Sequence, residues 1–326
     1  MITSQESSPD LSAKVMCVSH LKDVDGCICA ALVRYATKSN FLLTDYGHIK
    51  ECLRNIQKKY DVVYLCDLGF SETLLEEFLR IRQFAELIYI DHHPLDEHLL
   101  KRLSEMEVEI VHDLQECASV LTFNFLNKFL PKESGLLASF AAFSDRQENG
   151  PIAKALIERY DRDFILFETM LLSYALERAD VSFKRKIVRH LSGLEYPHQI
   201  EGVTELALEQ ANRIIILRKE LPYKSSKLDN IAYFEAREDS SGTIANLLLD
   251  VCEANIGIGY TTNQQNQTSD LSIRARSNLK INLGKVTSQL AKELGGFGGG
   301  HPRASGARIP TSALTKFIQA LVHHTQ

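Results

Sequence analysis

Short apolar runs that stop on an acid or a histidine recur through the first half of this chain, and no other feature constrains the fold as strongly. Val15 to Val18 has strand character, stops at Ser19-His20 and leads through Asp23, Asp25 and Gly26 into an Ala/Leu-rich helical pattern. The run VVYLC ends in Asp67, LIYI ends in Asp91-His92-His93, and the apolar helix SFAAFS ends in Asp145. Strand signals fall near residues 15–19, 41–43, 61–66, 87–90 and 108–111. Helical patterns separate them near 27–37 and 50–59 and after Ser71, and follow at 118–129 and 134–143. Strands spaced by helices of this length predict an α/β fold with a doubly wound, mostly parallel sheet. Parallel strands finish on one edge, where such sheets bind ligands, so these acids and imidazoles are expected to converge.

Taken singly, each residue has two readings. Asp23 and Asp25 suit a turn and a helix N-cap, or a cation site. Asp67 suits a turn cap, and His92 or His93 a satisfied core histidine. Asp23, Asp25, Asp67, Asp91 and Asp145 crowded on one edge would be strongly destabilising without cations or extensive hydrogen bonding. Mixed carboxylate and imidazole donors suit Mn²⁺, with Mg²⁺, Co²⁺ or Zn²⁺ as alternatives. Two such ions, about 3.5–4 Å apart, activate a water and stabilise an in-line displacement at phosphorus.

The 326 residues exceed one small core, and two domains are expected. Residues 1–12 read as a polar tail and 13–221 as the metal-binding domain, in which 151–221 form a charged helical extension. Pro222 and the serines after it suggest a linker over 222–227. A smaller α/β unit over 228–326 follows, with strands near 231–236, 256–260 and 271–276 and helices at 243–252, at 285–294 and from Ser312. Between its last two helices runs GGFGGGHPRASGARIP, whose Gly298, Gly299 and Gly300 let a backbone approach an anion closely. His301, Arg303 and Arg308 add donors there, and Arg274 and Arg276 share one face of the preceding strand. Phe297, with Tyr233 and Phe234, is a candidate for base stacking.

The net charge of −5 hides a split. Residues 61–116 carry 14 Asp+Glu against 4 Lys+Arg, and residues 271–310 carry 7 Lys+Arg against 1 acid. The first composition suits cations and the second phosphates. Seven cysteines do not make a disulfide framework and fit a reducing cytosol. Cys27 and Cys29 read as buried thiols rather than zinc ligands. The N-terminus lacks the charged start and apolar core of a signal peptide, and no apolar run would span a bilayer, so a cytoplasmic chain without membrane contact is expected.

The motifs SHLKDVDG, CDLG, IDHHP, SDRQE and GGGHPRASG together resemble the DHH phosphoesterase superfamily, named for the run at Asp91. The stretch INLGKVTSQLAKELGGFGGGHPRASGA is most similar to the archaeal-type RecJ-like nucleases. The resemblance implies a DHH domain followed by a smaller DHH-associated domain across a cleft. It implies one metal at His20, Asp23 and Asp67 and a second at Asp25, Asp67, His92 and Asp145, with Asp67 bridging. His93 matches the position that contacts the scissile phosphate, and Asp91 the one that orients the histidine pair. His301 and the glycine run match the family's phosphate grip, with Arg274 a phosphate contact. Two residues separate His20 from Asp23, where several relatives have three.

These signals predict a Mn²⁺-dependent phosphodiesterase or exonuclease that removes nucleotides from an end of single-stranded DNA or RNA. The chain shows no counterpart of the extra nucleic-acid-binding domain of large bacterial RecJ proteins, which favours short substrates. The competing enzyme reading is a hydrolase of dinucleotides, cyclic dinucleotides or 3′-phosphoadenosine 5′-phosphate. The competing reading of another class is a non-catalytic RecJ-like replication scaffold, against which stands the complete set of metal acids. Partnering with replication or repair proteins stays open, as does the oligomeric state.

Overall fold

A computed structural model describes residues 13–324 of the chain, so the polar tail expected over 1–12 lies outside the described residues. The described chain divides by its contacts into two units, Met1–Gln210 and Ala211–Gln326. The first begins β1 (Val15–His20), α1 (Val24–Thr37), β2 (Asn40–Thr44), α2 (Ile49–Arg54), β3 (Val62–Cys66), α3 (Leu75–Arg82), β4 (Glu86–Asp91), α4 (Glu97–Glu105) and β5 (Glu109–His112). These strands form a parallel sheet in the order β2-β1-β3-β4-β5.

Alternate residues of each strand enter different cores, as a period of two demands. Met16, Val18, Val63, Leu65, Leu87 and Tyr89 pack against Leu53, Phe78 and Leu103 of α2, α3 and α4. Cys17, Tyr64, Cys66, Ile88 and Ile90 face the other side, with Ile28 of α1 and then Leu121 of α5 (Ala118–Phe125) and Phe140 of α6 (Ser134–Ser144). Cys27 and Cys29 lie fully buried in this second layer, as free thiols of the core.

Four further helices follow: α7 (Pro151–Ile157), α8 (Arg162–Arg178), α9 (Val181–Leu191) and α10 (Val203–Lys224). Ile165, Leu172 and Leu176 of α8, with Ile187, Val188 and Leu191 of α9, extend the core built on α1 and α6. Lys184 Nζ donates to Leu21 O at 3.2 Å, pinning α9 to the loop after β1. Helices α8 and α9 of the extension are thus an outer layer of the first domain, whereas α10 passes from the first unit into the second.

The linker expected over 222–227 is helix and strand instead: α10 continues to Lys224, and β6 (Ser226–Leu228) follows at once. Leu217 and Leu221 of α10 are buried with Ala232, Ile244 and Leu248 of the second domain. Burying two leucines stabilises by about 1.5–3 kcal/mol each, enough to offset the roughly 3 kcal/mol that a proline costs inside a helix.

The second unit continues β7 (Ile231–Glu235), α11 (Ser241–Val251), β8 (Ile256–Asn263), β9 (Thr268–Ala275), α12 (Leu283–Glu293), β10 (Phe297–Gly300), β11 (Ala304–Pro310) and α13 (Leu314–His323). Its mixed sheet runs β10-β11-β9-β8-β7-β6, antiparallel except for the β7–β8 pair. The glycine-rich run is therefore a hairpin at the sheet edge, with Gly298 opposite Ala307 and Gly300 opposite Ser305. A Cβ at Gly298 would stand 2.7 Å from Gly306 O, and one at Gly300 2.6 Å from Ala304 O, so glycine is required for strand closure there. Gly299 differs, because a Cβ on it meets nothing within 4 Å.

Candidate metal centre

All five parallel strands end on one edge, and the polar groups gather there. His20 is the last residue of β1 and Asp23 caps α1, its Oδ1 accepting from Gly26 N at 3.0 Å. A Cβ at position 26 would meet His20 O at 2.3 Å, so only glycine lets the helix start this close to the strand end. His20 Nδ1 lies 2.6 Å from Asp23 Oδ2 and 3.5 Å from Asp67 Oδ2.

Asp67 follows β3 with φ of 55°, a left-handed backbone that aspartate tolerates better than most residues. Its amide donates to Ile90 O at 3.0 Å, which holds the turn against β4. The carboxylate is 2% exposed, and its two oxygens face different groups. Oδ2 points to His20, and Oδ1 lies 3.4 Å from His92 Nε2. His92 Nε2 is also 3.4 Å from Asp145 Oδ2 and 3.8 Å from Asp25 Oδ2. Asp145 is the C-cap of α6.

Asp25 is fully buried and aimed at the start of α5, its oxygens accepting from Ala118 N at 2.8 Å and Ser119 N at 2.7 Å. A helix N-terminus favours an anion, so this carboxylate is held where it is by the helix as well as by the cluster.

Electrostatics follow from the crowding. Burial and the neighbouring Asp23 and Asp25 push the Asp67 carboxyl well above its usual range. Burial and Asp25 do the same to Asp145. Burial disfavours the charged imidazole of His20, yet Asp23 and Asp67 outweigh it and raise its pKa well above normal. His92 is raised in the same way, against its burial, by Asp25 and Asp145.

Among the described residues, three groups of side chains present ligand atoms within 4.8 Å of one another: His20-Asp23-Asp67, Asp25-His92-Asp145 and Asp67-His92-His93. The donors suit divalent cations, and one observation speaks for them directly. Asp67 Oδ2 is buried without a hydrogen-bond partner, a state that a cation between it and its neighbours relieves.

Beside these groups stands a hydrogen-bonded pair. Asp91 closes β4, and His93 Nδ1 donates to its Oδ1 at 2.9 Å. Against the cost of burial, the His93 charge and the bonds from His93 and Tyr89 draw the Asp91 carboxyl down to about 2. His93 is raised in turn by Asp91, despite its own burial. Tyr89 Oη donates to Asp91 Oδ2 at 2.7 Å, and His112 Nε2 donates to His93 O at 2.7 Å. The sequence singles out neither supporting residue, nor Tyr46 (just past the end of β2), whose hydroxyl lies 3.4 Å from His93 Nε2. The signal for Tyr46 is positional, since β2 ends on the same sheet edge as β1, β3 and β4.

In the second domain the basic residues have different employments. Arg276, although exposed, donates to Ala254 O at 2.8 Å and also to Leu249 O, and so ties down the end of α11. Arg308 pairs with Asp270 at 2.6 Å and lies over the ring of Phe297, which is 60% exposed. Tyr233 and Phe234 are half-buried and pack into the domain core. Arg303 is exposed at the hairpin turn. The carbonyls of His301 and Pro302 accept from Gly284 N and Leu283 N at the start of α12, so the helix terminus orders the segment that carries His301.

Fold and site together define a two-domain α/β protein with a carboxylate–imidazole centre on the carboxyl edge of a parallel sheet. Residues 227–324 match the family profile described as the DHHA1 domain. The second unit thus carries a DHHA1 domain, and the chain as a whole shares its fold with DHH-domain and RecJ structures. An uncharacterised protein of Methanocaldococcus jannaschii is 36% identical over 99 residues, which is 29% of this chain and 22% of that protein's length. A DHH domain from a protein assigned to a family of ribosomal proteins superposes with a TM-score of 0.72 at 14% identity, covering 95% of this chain and 86% of that one. An exonuclease RecJ bound to manganese superposes at 0.61 with 15% identity, over 96% and 90% of the two chains. A pGpG-specific phosphodiesterase of Vibrio cholerae reaches 0.53 with 13% identity, over 95% and 98%. At such identities these structures share the fold. Among the described residues, no helix is long and apolar enough to cross a membrane.

Proposed function

We infer that the chain is a Mn²⁺-dependent phosphodiesterase that shortens single-stranded DNA or RNA, as short oligonucleotides, from one end. The observation that carries this reading is Asp67, which turns one carboxylate oxygen toward His20-Asp23 and the other toward His92. That arrangement fits two divalent cations, one held by His20, Asp23 and Asp67 and one by Asp25, Asp67, His92 and Asp145. Cations so held supply an activated water and charge neutralisation at phosphorus. Mn²⁺ is favoured by the mixed oxygen and nitrogen donors, and an exonuclease RecJ of the same fold carries manganese.

The chain's own residues orient and stabilise. His93, whose pKa Asp91 raises, donates to a non-bridging phosphoryl oxygen and stabilises the charge that grows there. Asp91, with its bonds from Tyr89 and His93, fixes the direction of that donor. In the second domain His301, Arg274, Arg303 and the backbone of Gly298, Gly299 and Gly300 hold substrate phosphate, Gly299 being the position whose missing side chain no internal contact explains. Arg276 is assigned to the fold by its bonds to α11.

A small-nucleotide hydrolase is the second reading, favoured by the fold shared with a pGpG-specific phosphodiesterase over nearly the full length of both chains. Incubation with Mn²⁺ and 5′- or 3′-labelled DNA and RNA oligomers of two, five and twenty nucleotides, beside pGpG and a cyclic dinucleotide, separates the readings. Stepwise shortening of the longer oligomers is expected. Cleavage of dinucleotides alone would transfer the assignment to the second reading, and no cleavage of any substrate would overturn both.

A further inference from the structure

Consecutive amides of the loop after β3 each bond a tyrosine, and each tyrosine reaches one member of the Asp91–His93 pair. Phe70 N donates to Tyr89 Oη at 3.1 Å, and Tyr89 Oη donates to Asp91 Oδ2. Gly69 N donates to Tyr46 Oη at 3.2 Å, and Tyr46 Oη lies 3.4 Å from His93 Nε2. The two tyrosines differ in one respect that matters. Tyr89 is fully buried and its bond is complete, whereas Tyr46 is 42% exposed. The Tyr46 ring packs on His20 at 5.5 Å between centroids and stands edge-on to His93 at 6.2 Å. An exposed aromatic placed between one residue of each histidine-bearing strand end forms part of the wall of the centre.

His93 Nδ1 bonds Asp91, and Tyr46 Oη stands against the other ring nitrogen, Nε2. A bond as long as 3.4 Å is weak and readily exchanged. We propose that Tyr46 is a substrate-contacting residue: its hydroxyl oxygen, held by Gly69 N and lying against His93 Nε2, leaves the hydroxyl proton to be donated to a phosphoryl oxygen, and its ring packs against the terminal nucleoside. The inference deepens the phosphodiesterase reading and rests on it. It narrows the substrate to a phosphodiester with a planar base next to the reacting phosphorus.

The test measures three proteins, the wild type, Tyr46→Phe and Tyr46→Ala. Turnover with Mn²⁺ is followed on a five-nucleotide oligomer and on bis-(p-nitrophenyl) phosphate, and Mn²⁺ affinity and melting temperature are recorded beside it. A phosphorothioate dinucleotide in Ca²⁺ gives binding without turnover. Tyr46→Phe is expected to lower kcat on both substrates by about tenfold, the usual size of a lost hydrogen bond to a charged group, with Mn²⁺ affinity unchanged. Tyr46→Ala is expected in addition to weaken the dinucleotide by about tenfold through lost stacking. Wild-type turnover and binding in both variants would overturn the inference while leaving the phosphodiesterase reading intact. A wild-type chain that neither cleaves nor binds any of these phosphodiesters would overturn that reading and this one with it. Equal losses of Mn²⁺ affinity and activity would assign Tyr46 to supporting the metal ligands instead and also overturn the inference.

Discussion

Asp67 combines a left-handed backbone, near-complete burial and two neighbouring carboxylates, three features that each cost stability unless a function holds them in place. Asn tolerates the same backbone but removes the charge. Asp67→Asn is therefore expected to stabilise the metal-free protein by about 1 kcal/mol while lowering Mn²⁺ affinity by about 100-fold. Thermal denaturation with and without Mn²⁺ checks both, and an unchanged Mn²⁺-induced shift in melting temperature would remove Asp67 from the centre. Gly26 makes the opposite case, in which packing alone decides. Its Cβ would fall 2.3 Å from His20 O, so Gly26→Ala should destabilise by about 3 kcal/mol, read as a fall in the urea midpoint. Asp23 and Asp25 were legible as acids at a helix start. That Asp25 also caps α5, from a position over ninety residues earlier, was not, because the contact is made only in three dimensions.

At the scale of elements, the alternation of apolar runs and helical stretches carried most of the first domain, since period and length are local properties. Where it fell short, the missing information was tertiary. The glycine run became strands β10 and β11 because backbone pairing with β9 and packing on α12 substitute for the side chains it lacks. Arg276 reads as a phosphate ligand from its spacing to Arg274, and in the structure it also bonds Leu249 O and Ala254 O at the end of α11. Arg276→Ala should lower the second domain's stability by about 1–2 kcal/mol, the usual range for charged hydrogen bonds to backbone, and leave Mn²⁺ affinity untouched. A substrate-binding defect at unchanged stability would return Arg276 to the phosphate grip.

At the scale of the whole molecule, cation binding and protonation are linked. Asp67 and Asp145 keep their protons to unusually high pH in the metal-free chain, through burial and neighbouring carboxylates, whereas a bound cation requires both ionised. Binding then releases protons, and affinity falls as pH drops, beginning above the ordinary carboxylate range because both carboxyls are raised. Calorimetric titration of Mn²⁺ in buffers of different ionisation enthalpy should show net proton release, and none would contradict the crowded-carboxylate account. In the proposed function the two domains divide the work, with cations in the first and substrate phosphate held by the second. His301→Ala is accordingly expected to raise KM by about tenfold with Mn²⁺ affinity unchanged. A collapse of metal affinity instead would end that division.

Strand and helix order, the two-domain plan and the set of acids and imidazoles were determined by the sequence itself. They depend on period, on element length and on which residue closes each apolar run, all of which are local. Only the tertiary structure decided which groups meet: Asp67 between two clusters, Asp25 against α5, Tyr46 against His93, and α10 running into the stretch that reads as a linker, with β6 directly after it. Those contacts join residues distant in the chain, and their energies come from burial and from the geometry of closed sheets, which no local stretch of sequence contains.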